Sequence, residues 1–299
     1  MARPTALHRR GLVLIFVATA MWSLAGVFAR AVAHLDFGAI LFARAGFGGL
    51  CGLAVAALDW SQGRLDLKRL ATPLTPVIVA LSATAITAYV AALMTTTVAD
   101  VLVIYATLPF LAAALAVPLT GERPSRRTMI AASVAMIGVV VMVADGLGKG
   151  RWLGQLLSLL MTATFAGLVV LQRRDPDLPV GPVNSVAALI ASGFGFAMAG
   201  SLKMSAFDIA DLFVFGVTTI TIAFNVFLEG AKLVPSAEAS LVAMTDVVMG
   251  PLWVWLAFRE RPDNATFVGG AFVLAAAAWR LAPELRRRRE VLAPPAPAV

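Results

Sequence analysis

Ten long apolar segments dominate this 299-residue chain, and each is long enough to cross a lipid bilayer, which takes roughly 20 residues of helix. Backbone groups in lipid must find hydrogen-bond partners within the segment, so the segments are predicted to be helices. Their apolar character is continuous, unlike the alternating pattern of membrane β-strands. The sequence therefore predicts an all-α integral membrane protein whose spans cover residues 11–33, 37–58, 74–95, 99–119, 127–144, 152–172, 181–202, 207–228, 236–258 and 264–282.

Composition supports this interpretation and excludes soluble and disordered classes. Hydrophobic residues make up 60% of the chain and charged residues 14%, whereas soluble domains are about 45–50% apolar and about 25% charged. The net charge of +7 would suggest a nucleic-acid partner in a soluble domain. Here six of those seven charges lie in residues 1–10 and 280–299, so no nucleic-acid partner is predicted.

The basic residues predict the orientation in the membrane. If the N-terminus is cytoplasmic, the inside segments hold 17 Lys and Arg residues and the outside segments hold 6. Cytoplasmic loops carry the excess of positive charge, so both termini are predicted to be cytoplasmic. We expect a multi-pass protein of a bacterial-type inner membrane with a basic, proline-rich tail at residues 284–299.

The sequence also repeats itself with a period of five spans. Glu122-Arg123-Pro124 recurs as Glu260-Arg261-Pro262 at an offset of 138, and Thr84-Ala85-Ile86-Thr87 resembles Thr218-Thr219-Ile220-Thr221 at an offset of 134. Because five is odd, the two repeats must have opposite orientations. Residues 1–147 and 148–283 are thus predicted to be inverted five-helix repeats, the arrangement of many secondary transporters, with a site near the midplane.

Two charged residues lie deep in the predicted spans. Arg44 would cost at least about 2.5–3.5 kcal/mol to insert, so it should face protein or water. It is predicted to bind a substrate carboxylate or form a gating ion pair, or else to be a structural arginine that bonds carbonyl groups or extends to the surface. Asp246 is predicted to bind an amine or to exchange a proton. It could instead form a polar helix contact or pair with Arg44.

A second group of candidates consists of aromatic and polar side chains within the spans. They could line a cavity that binds apolar or aromatic groups, or they could be ordinary packing residues. This group comprises Trp22, Tyr89, Tyr105, Phe165, Asn225 and Thr245, the neighbour of Asp246.

Several of these features together resemble the drug/metabolite transporter superfamily and its ten-helix EamA-type exporter branch. They are the five-plus-five spans, Trp22 in Met21-Trp22-Ser23-Leu24-Ala25-Gly26, Arg44, Pro109 and Gly121-Glu122-Arg123-Pro124. Within that branch the chain is most similar to the aromatic amino acid exporters of the YddG type. The resemblance covers residues 11–282. It implies a basket of spans one to four and six to nine around a central cavity, supported by spans five and ten.

The function expected from the sequence is export of small metabolites across the inner membrane by alternating access. Amino acids, above all aromatic or hydrophobic ones, are the favoured substrates, and drugs, purines or polyols are the alternatives. An integral membrane enzyme is a distant alternative, because no paired acids, histidine cluster or nucleotide-binding loop occurs in the sequence. We expect no cofactor or metal, a small-molecule substrate and membrane lipid as partners, and a monomer or weak dimer.

Overall fold

The computed structural model describes residues 6–121, 125–172, 174–175, 177–234 and 236–292, and within these residues the regular structure is helical. A short 3₁₀ helix spans Leu67–Leu70, and a π-helical turn spans Val217–Ile222. The α-helices are α1 Ala6–Ser23, α2 Ala25–Ala31, α3 Phe37–Ser61, α4 Leu74–Thr95, α5 Val98–Tyr105, α6 Leu108–Thr120, α7 Arg126–Gly148, α8 Trp152–Gln172, α9 Val180–Met198, α10 Ala206–Gly216, α11 Ala223–Ala231, α12 Ser236–Ala243, α13 Asp246–Phe258 and α14 Asn264–Leu292.

The predicted membrane architecture is confirmed. Seven helical segments are long and apolar enough to span a bilayer, and α5 with α6 forms an eighth that bends by 44°. The shorter apolar helices 246–258 and 264–279 occupy the ninth and tenth predicted positions. Residues 284–292 of the predicted tail continue α14, whereas residues 293–299 and the predicted motif residues 122–124 lie outside the described residues.

Four predicted spans are discontinuous, which corrects the sequence-based expectation of uninterrupted helices. The first span breaks at Leu24, and the eighth contains the π-helical turn. The fourth and ninth break at Thr107 and Thr245, two positions related by the repeat offset of 138. Each threonine hydroxyl donates to the carbonyl three residues earlier, Ile104 at 2.6 Å and Val242 at 2.7 Å. Such local bonds compete with the hydrogen bonds of the helix. Because the same bond occurs at both repeat-related threonines, both repeats have the same helix break.

The two repeats interleave rather than forming separate bundles. Helix α3 packs on α9, α4 on α8, α7 on α14 and α1 on α11, so each of these contacts joins the first repeat to the second. Close approach of α3 to the eighth span depends on Gly48. A Cβ atom at this position would lie 2.8 Å from the carbonyl oxygen of Gly216.

We expect Gly48→Ala to destabilise the protein by about 1–3 kcal/mol, because backbone must move to admit the methyl group. The measurement is the midpoint of thermal unfolding in detergent micelles. Gly193→Ala on α9 is the matched control, since its added Cβ would have no neighbour within 4 Å. Its unfolding midpoint should stay the same or rise, because alanine is the better helix former. Equal midpoints for the two variants would contradict the close approach.

Polar contacts identify the two ends of the bundle. At one end, the Ser201 N–H donates to the Asp36 carboxylate at 3.2 Å, and Arg30 contacts Glu260. We call this the Arg30 end. At the other end, Arg69 pairs with Asp177 at 3.3 Å, with both side chains exposed. The charge distribution predicts that the Arg30 end faces outward.

Candidate substrate-binding site

Arg44 lies within α3 with 4% of its surface exposed. Its Nη2 donates to the Thr219 hydroxyl at 3.2 Å. The guanidinium carbon lies 4.3 Å from the ring centroid of Phe215 and 5.3 Å from that of Tyr89, so both rings stabilise the cation. Within the part of the chain that the structure describes, the Nε and Nη1 atoms have no hydrogen-bond partner.

These unpartnered nitrogens are the main chemical feature of Arg44. A buried donor without a partner costs about 1–3 kcal/mol. The hydrogen of Nε lies on the same edge of the guanidinium as Nη2, so Nε and Nη1 donate from different edges and do not form the two-pronged fork that matches a carboxylate. The arginine is therefore held by aromatic faces and one hydroxyl, while one donor group on each edge stays free for an anion.

The π-helical turn supplies the groups that hold this arginine in position. The Thr219 hydroxyl donates to the Phe215 carbonyl at 2.6 Å, so its lone pairs remain to accept from Arg44. The Thr219 carbonyl accepts from the Trp22 indole N–H at 2.9 Å. Asn225 donates to the Thr221 carbonyl within its own segment at 2.8 Å. Side chains thus satisfy carbonyl groups of the turn, and π-helical turns often mark functional sites.

Asp246 begins α13 directly after the break at Thr245, with 7% of its surface exposed. Its Oδ1 atom is buried and accepts no hydrogen bond from the residues that the structure describes. The positive end of the helix dipole favours a carboxylate at this position. The sequence placed Asp246 in the middle of an uninterrupted span, whereas the structure places it at the start of a half-helix, which is where broken-helix transporters bind charged groups.

Arg44 and Asp246 do not pair with each other among the described ion pairs. Tyr89 lies under the Arg44 guanidinium and within electrostatic reach of Asp246, as does Tyr105. The Tyr105 ring lies 6.1 Å from that of Phe165. Tyr89 is therefore a neighbour that the two charges share.

The remaining predicted residues have supporting positions. Trp22 joins the site through Thr219 and packs its ring 5.2 Å from Phe227. The Thr245 hydroxyl serves the helix break, and the Asn225 amide bonds its own helix. Phe215 was not predicted, because a phenylalanine in an apolar helix carries no sequence signal.

A second buried carboxylate, Asp100, also escaped the sequence analysis. It is 0% exposed, and its oxygens accept from Thr96 at 2.7 Å and Thr266 at 2.6 Å. Gln155 donates at 3.2 Å, and Arg151 pairs with it at 3.3 Å. Its signal was present, since Thr97-Val98-Ala99-Asp100 has the spacing of a helix-capping sequence. Fully partnered as it is, Asp100 holds helices together and has no free atom for a solute.

The described residues contain no group of three or more His, Cys, Asp or Glu side chains that could hold a metal ion. Among the described residues around Arg44 and Asp246, the buried side-chain atoms without a hydrogen-bond partner are Nε and Nη1 of Arg44 and Oδ1 of Asp246.

Comparisons with known proteins agree with the helical membrane fold. The model of the EamA-like transporter family matches residues 9–144 and again residues 152–281. A solved structure, described only as a crystal structure of a protein, superposes with a TM-score of 0.65 at 20% identity, covering 93% of this chain and 98% of that chain. At that identity the similarity shows the fold alone. No curated protein matches the chain.

Proposed function

Because the chain belongs to the EamA-like transporter family, we propose that it exports amino acids by binding their charged groups between Arg44 and Asp246. The family gives the class, a multi-pass membrane transporter for small molecules. The substrate class and the direction are the proposal. Export is proposed from the resemblance to EamA-type exporters, and the 17 to 6 distribution of basic residues supports cytoplasmic termini.

The observation that supports this substrate class is the pair of opposite, buried, unpartnered charges. A substrate carboxylate would accept from one of the free donors of Arg44, Nε or Nη1, and a substrate ammonium would donate to Oδ1 of Asp246. Each contact would satisfy a buried atom, so a zwitterion would be bound at both ends in the state of the transport cycle that brings Arg44 and Asp246 together. A solute with one charge would satisfy only half of the site.

The rings around the site support a preference for aromatic or hydrophobic amino acids. Tyr105 and Phe165 pack near each other against the apolar core and offer apolar surface to a side chain. Polar amino acids would leave their own hydrogen-bonding groups unpaired against these rings.

Burial of both charges supports alternating access as the mechanism. Arg44 and Asp246 are almost without solvent contact, so a solute reaches them only when helices move. The breaks at Thr107 and Thr245 supply half-helices that can tilt while their neighbours stay packed.

The direct test is uptake of a panel of radiolabelled amino acids into proteoliposomes, with and without a pH gradient. We expect saturable uptake of phenylalanine and leucine that exceeds uptake of serine and glutamate. Failure of every amino acid would reject the proposal. Stimulation of uptake by a pH gradient would show that transport is coupled to proton exchange. Uptake that does not depend on the pH gradient would show facilitated transport.

One feature favours a second candidate class, organic cations such as cationic drugs. Asp246 among aromatic rings is a suitable cation site, and such a solute has no use for Arg44. Purines and polyols have no comparable support, because both lack the charges that the site could neutralise. Uptake of an organic cation that survives Arg44→Met would favour this class over amino acids.

Thr219 is proposed as a positioning residue for Arg44, because among the described residues its hydroxyl is the one group that accepts a hydrogen bond from Arg44. We expect Thr219→Val to raise the KM for phenylalanine about tenfold, the effect of losing one hydrogen bond to a charged group. Thr219→Ser keeps the hydroxyl and should restore the KM. A change in maximal rate with an unchanged KM would instead indicate a packing role.

A further inference from the structure

Arg30, in the last turn of α2, makes an unusually large number of polar contacts across the Arg30 end. Its Nε donates to Oε2 of Glu260 at 2.6 Å, and its Nη2 donates to Oε1 at 3.3 Å. Nη2 also donates to the Thr96 carbonyl at 2.8 Å, and Nη1 donates to the Leu93 carbonyl. One side chain thus connects α2, the end of α4 and the α13–α14 connection.

Glu260 is held from a second direction. Its Oε1 accepts from the Val98 backbone N–H, at the start of α5, at 2.9 Å. The preceding residue, Arg259, has the left-handed backbone conformation with a φ of 59°, which is uncommon for a non-glycine residue. Its N–H caps α13 by donating to the Trp255 carbonyl at 2.9 Å. This turn directs Glu260 back toward the first repeat.

The contacts of Arg30 and Glu260 therefore join the repeats. Arg30, Leu93, Thr96 and Val98 belong to the first repeat and Glu260 to the second. The Asp100 cluster joins the repeats at the same end, but Asp100 is completely buried. In contrast, the side chains of Arg30 and Glu260 are 18% and 22% exposed, so water can replace their mutual bonds when they separate. This pair has the properties of a contact that can break and re-form.

We propose that the Arg30–Glu260 pair is a latch that keeps the Arg30 end closed while the buried site is shielded from that side. Release of a solute toward that end requires the α13–α14 connection to leave α2 and α5, which breaks this pair. The role of the latch rests on the proposed transport function. The contacts between Arg30 and Glu260 do not depend on which solute is transported.

The test measures access to the site with a thiol reagent. Cys51 is the single cysteine, so Cys51→Ser gives a cysteine-free background. Thr245→Cys then measures how readily the reagent reaches the site. Gly200→Cys lies in an exposed connection at the Arg30 end, so its labelling shows which side of the membrane that end faces. A membrane-impermeant methanethiosulfonate is added to intact cells and to inside-out vesicles, and the rate of labelling is measured.

We expect Glu260→Gln and Arg30→Met each to accelerate Thr245→Cys labelling, from the side that labels Gly200→Cys, by about tenfold or more, the effect of losing a charged hydrogen bond. Arg30→Lys keeps the charge but loses the fork and should give a smaller acceleration. Arg64→Met removes an ion pair with Asp59 at the opposite end and serves as the matched control with unchanged labelling. Size-exclusion profiles and unfolding midpoints show whether each variant is folded.

Unchanged Thr245→Cys labelling in folded latch variants would overturn the latch, whether or not amino acids are transported. Equal acceleration from both sides of the membrane would also overturn it, because that is general loosening. If labelling accelerates from the Gly200 side alone while no amino acid is taken up, the latch stands and the proposed substrate fails.

Discussion

Arg44→Met should nearly abolish phenylalanine transport while lowering the free energy of unfolding by no more than about 1 kcal/mol. Methionine has a similar length and no charge, so the carboxylate loses its charged donor. We expect kcat/KM to fall by about 100-fold, the upper range for a hydrogen-bonded charge. Initial uptake rates in proteoliposomes measure this fall.

Stability separates a binding role from a structural one. Arg44 carries two buried nitrogens without partners, and the substitution removes the energetic cost of burying them. The substitution also removes one hydrogen bond and the two ring contacts, which destabilises the protein. These contributions are of similar size, so the free energy of unfolding should stay within about 1 kcal/mol or rise. An arginine that held the fold together would instead cost about 3–5 kcal/mol when removed.

Arg127→Met provides the matched control. Arg127 stacks 4.5 Å from the centroid of the Trp279 ring and donates to the Trp279 carbonyl, far from the candidate site in sequence and in partners. Its loss should leave phenylalanine uptake unchanged. If both arginine variants lose uptake equally, the effect of Arg44→Met does not arise from the site.

The sequence predicted Arg44 and Asp246 because a charge in an apolar span is expensive and therefore conspicuous. The same reasoning could not find Phe215 or Thr219, which differ from their neighbours only in the partners that folding gives them. Arg30 lies near the end of the first predicted span and Glu260 in a short connection, and charges are usual at both places. Their pairing is a long-range contact across 230 residues, and no local pattern encodes it.

Helix breaks were harder to predict than helices. The fourth and ninth spans are continuous in hydropathy, and the discontinuity depends on two threonine hydroxyls that bond backward. Pro109 lies in the first turn of α6, and a proline at that position is a sequence signal for the start of a helix. The repeat offset of 138, applied to Thr107, would have identified Thr245 as the matching break.

Asp246 should determine whether the transporter recognises the amine of its substrate. In the wild type, phenylalanine should compete for uptake far better than 3-phenylpropionate, which lacks the amine. Asp246→Asn removes the charge but keeps the shape, so phenylalanine should lose about 10- to 100-fold in affinity while 3-phenylpropionate loses little. The ratio of the two inhibition constants should therefore approach one.

The reciprocal experiment assigns the two ends of the substrate. Phenethylamine, which lacks the carboxylate, should be insensitive to Arg44→Met and sensitive to Asp246→Asn. Asp246→Glu retains the charge on a longer side chain and should preserve discrimination in favour of the amine. If Asp246→Asn weakens phenylalanine and 3-phenylpropionate equally in a folded protein, Asp246 does not contact the amine. Its buried oxygen would then serve helix packing or proton exchange, and the zwitterion assignment would be wrong.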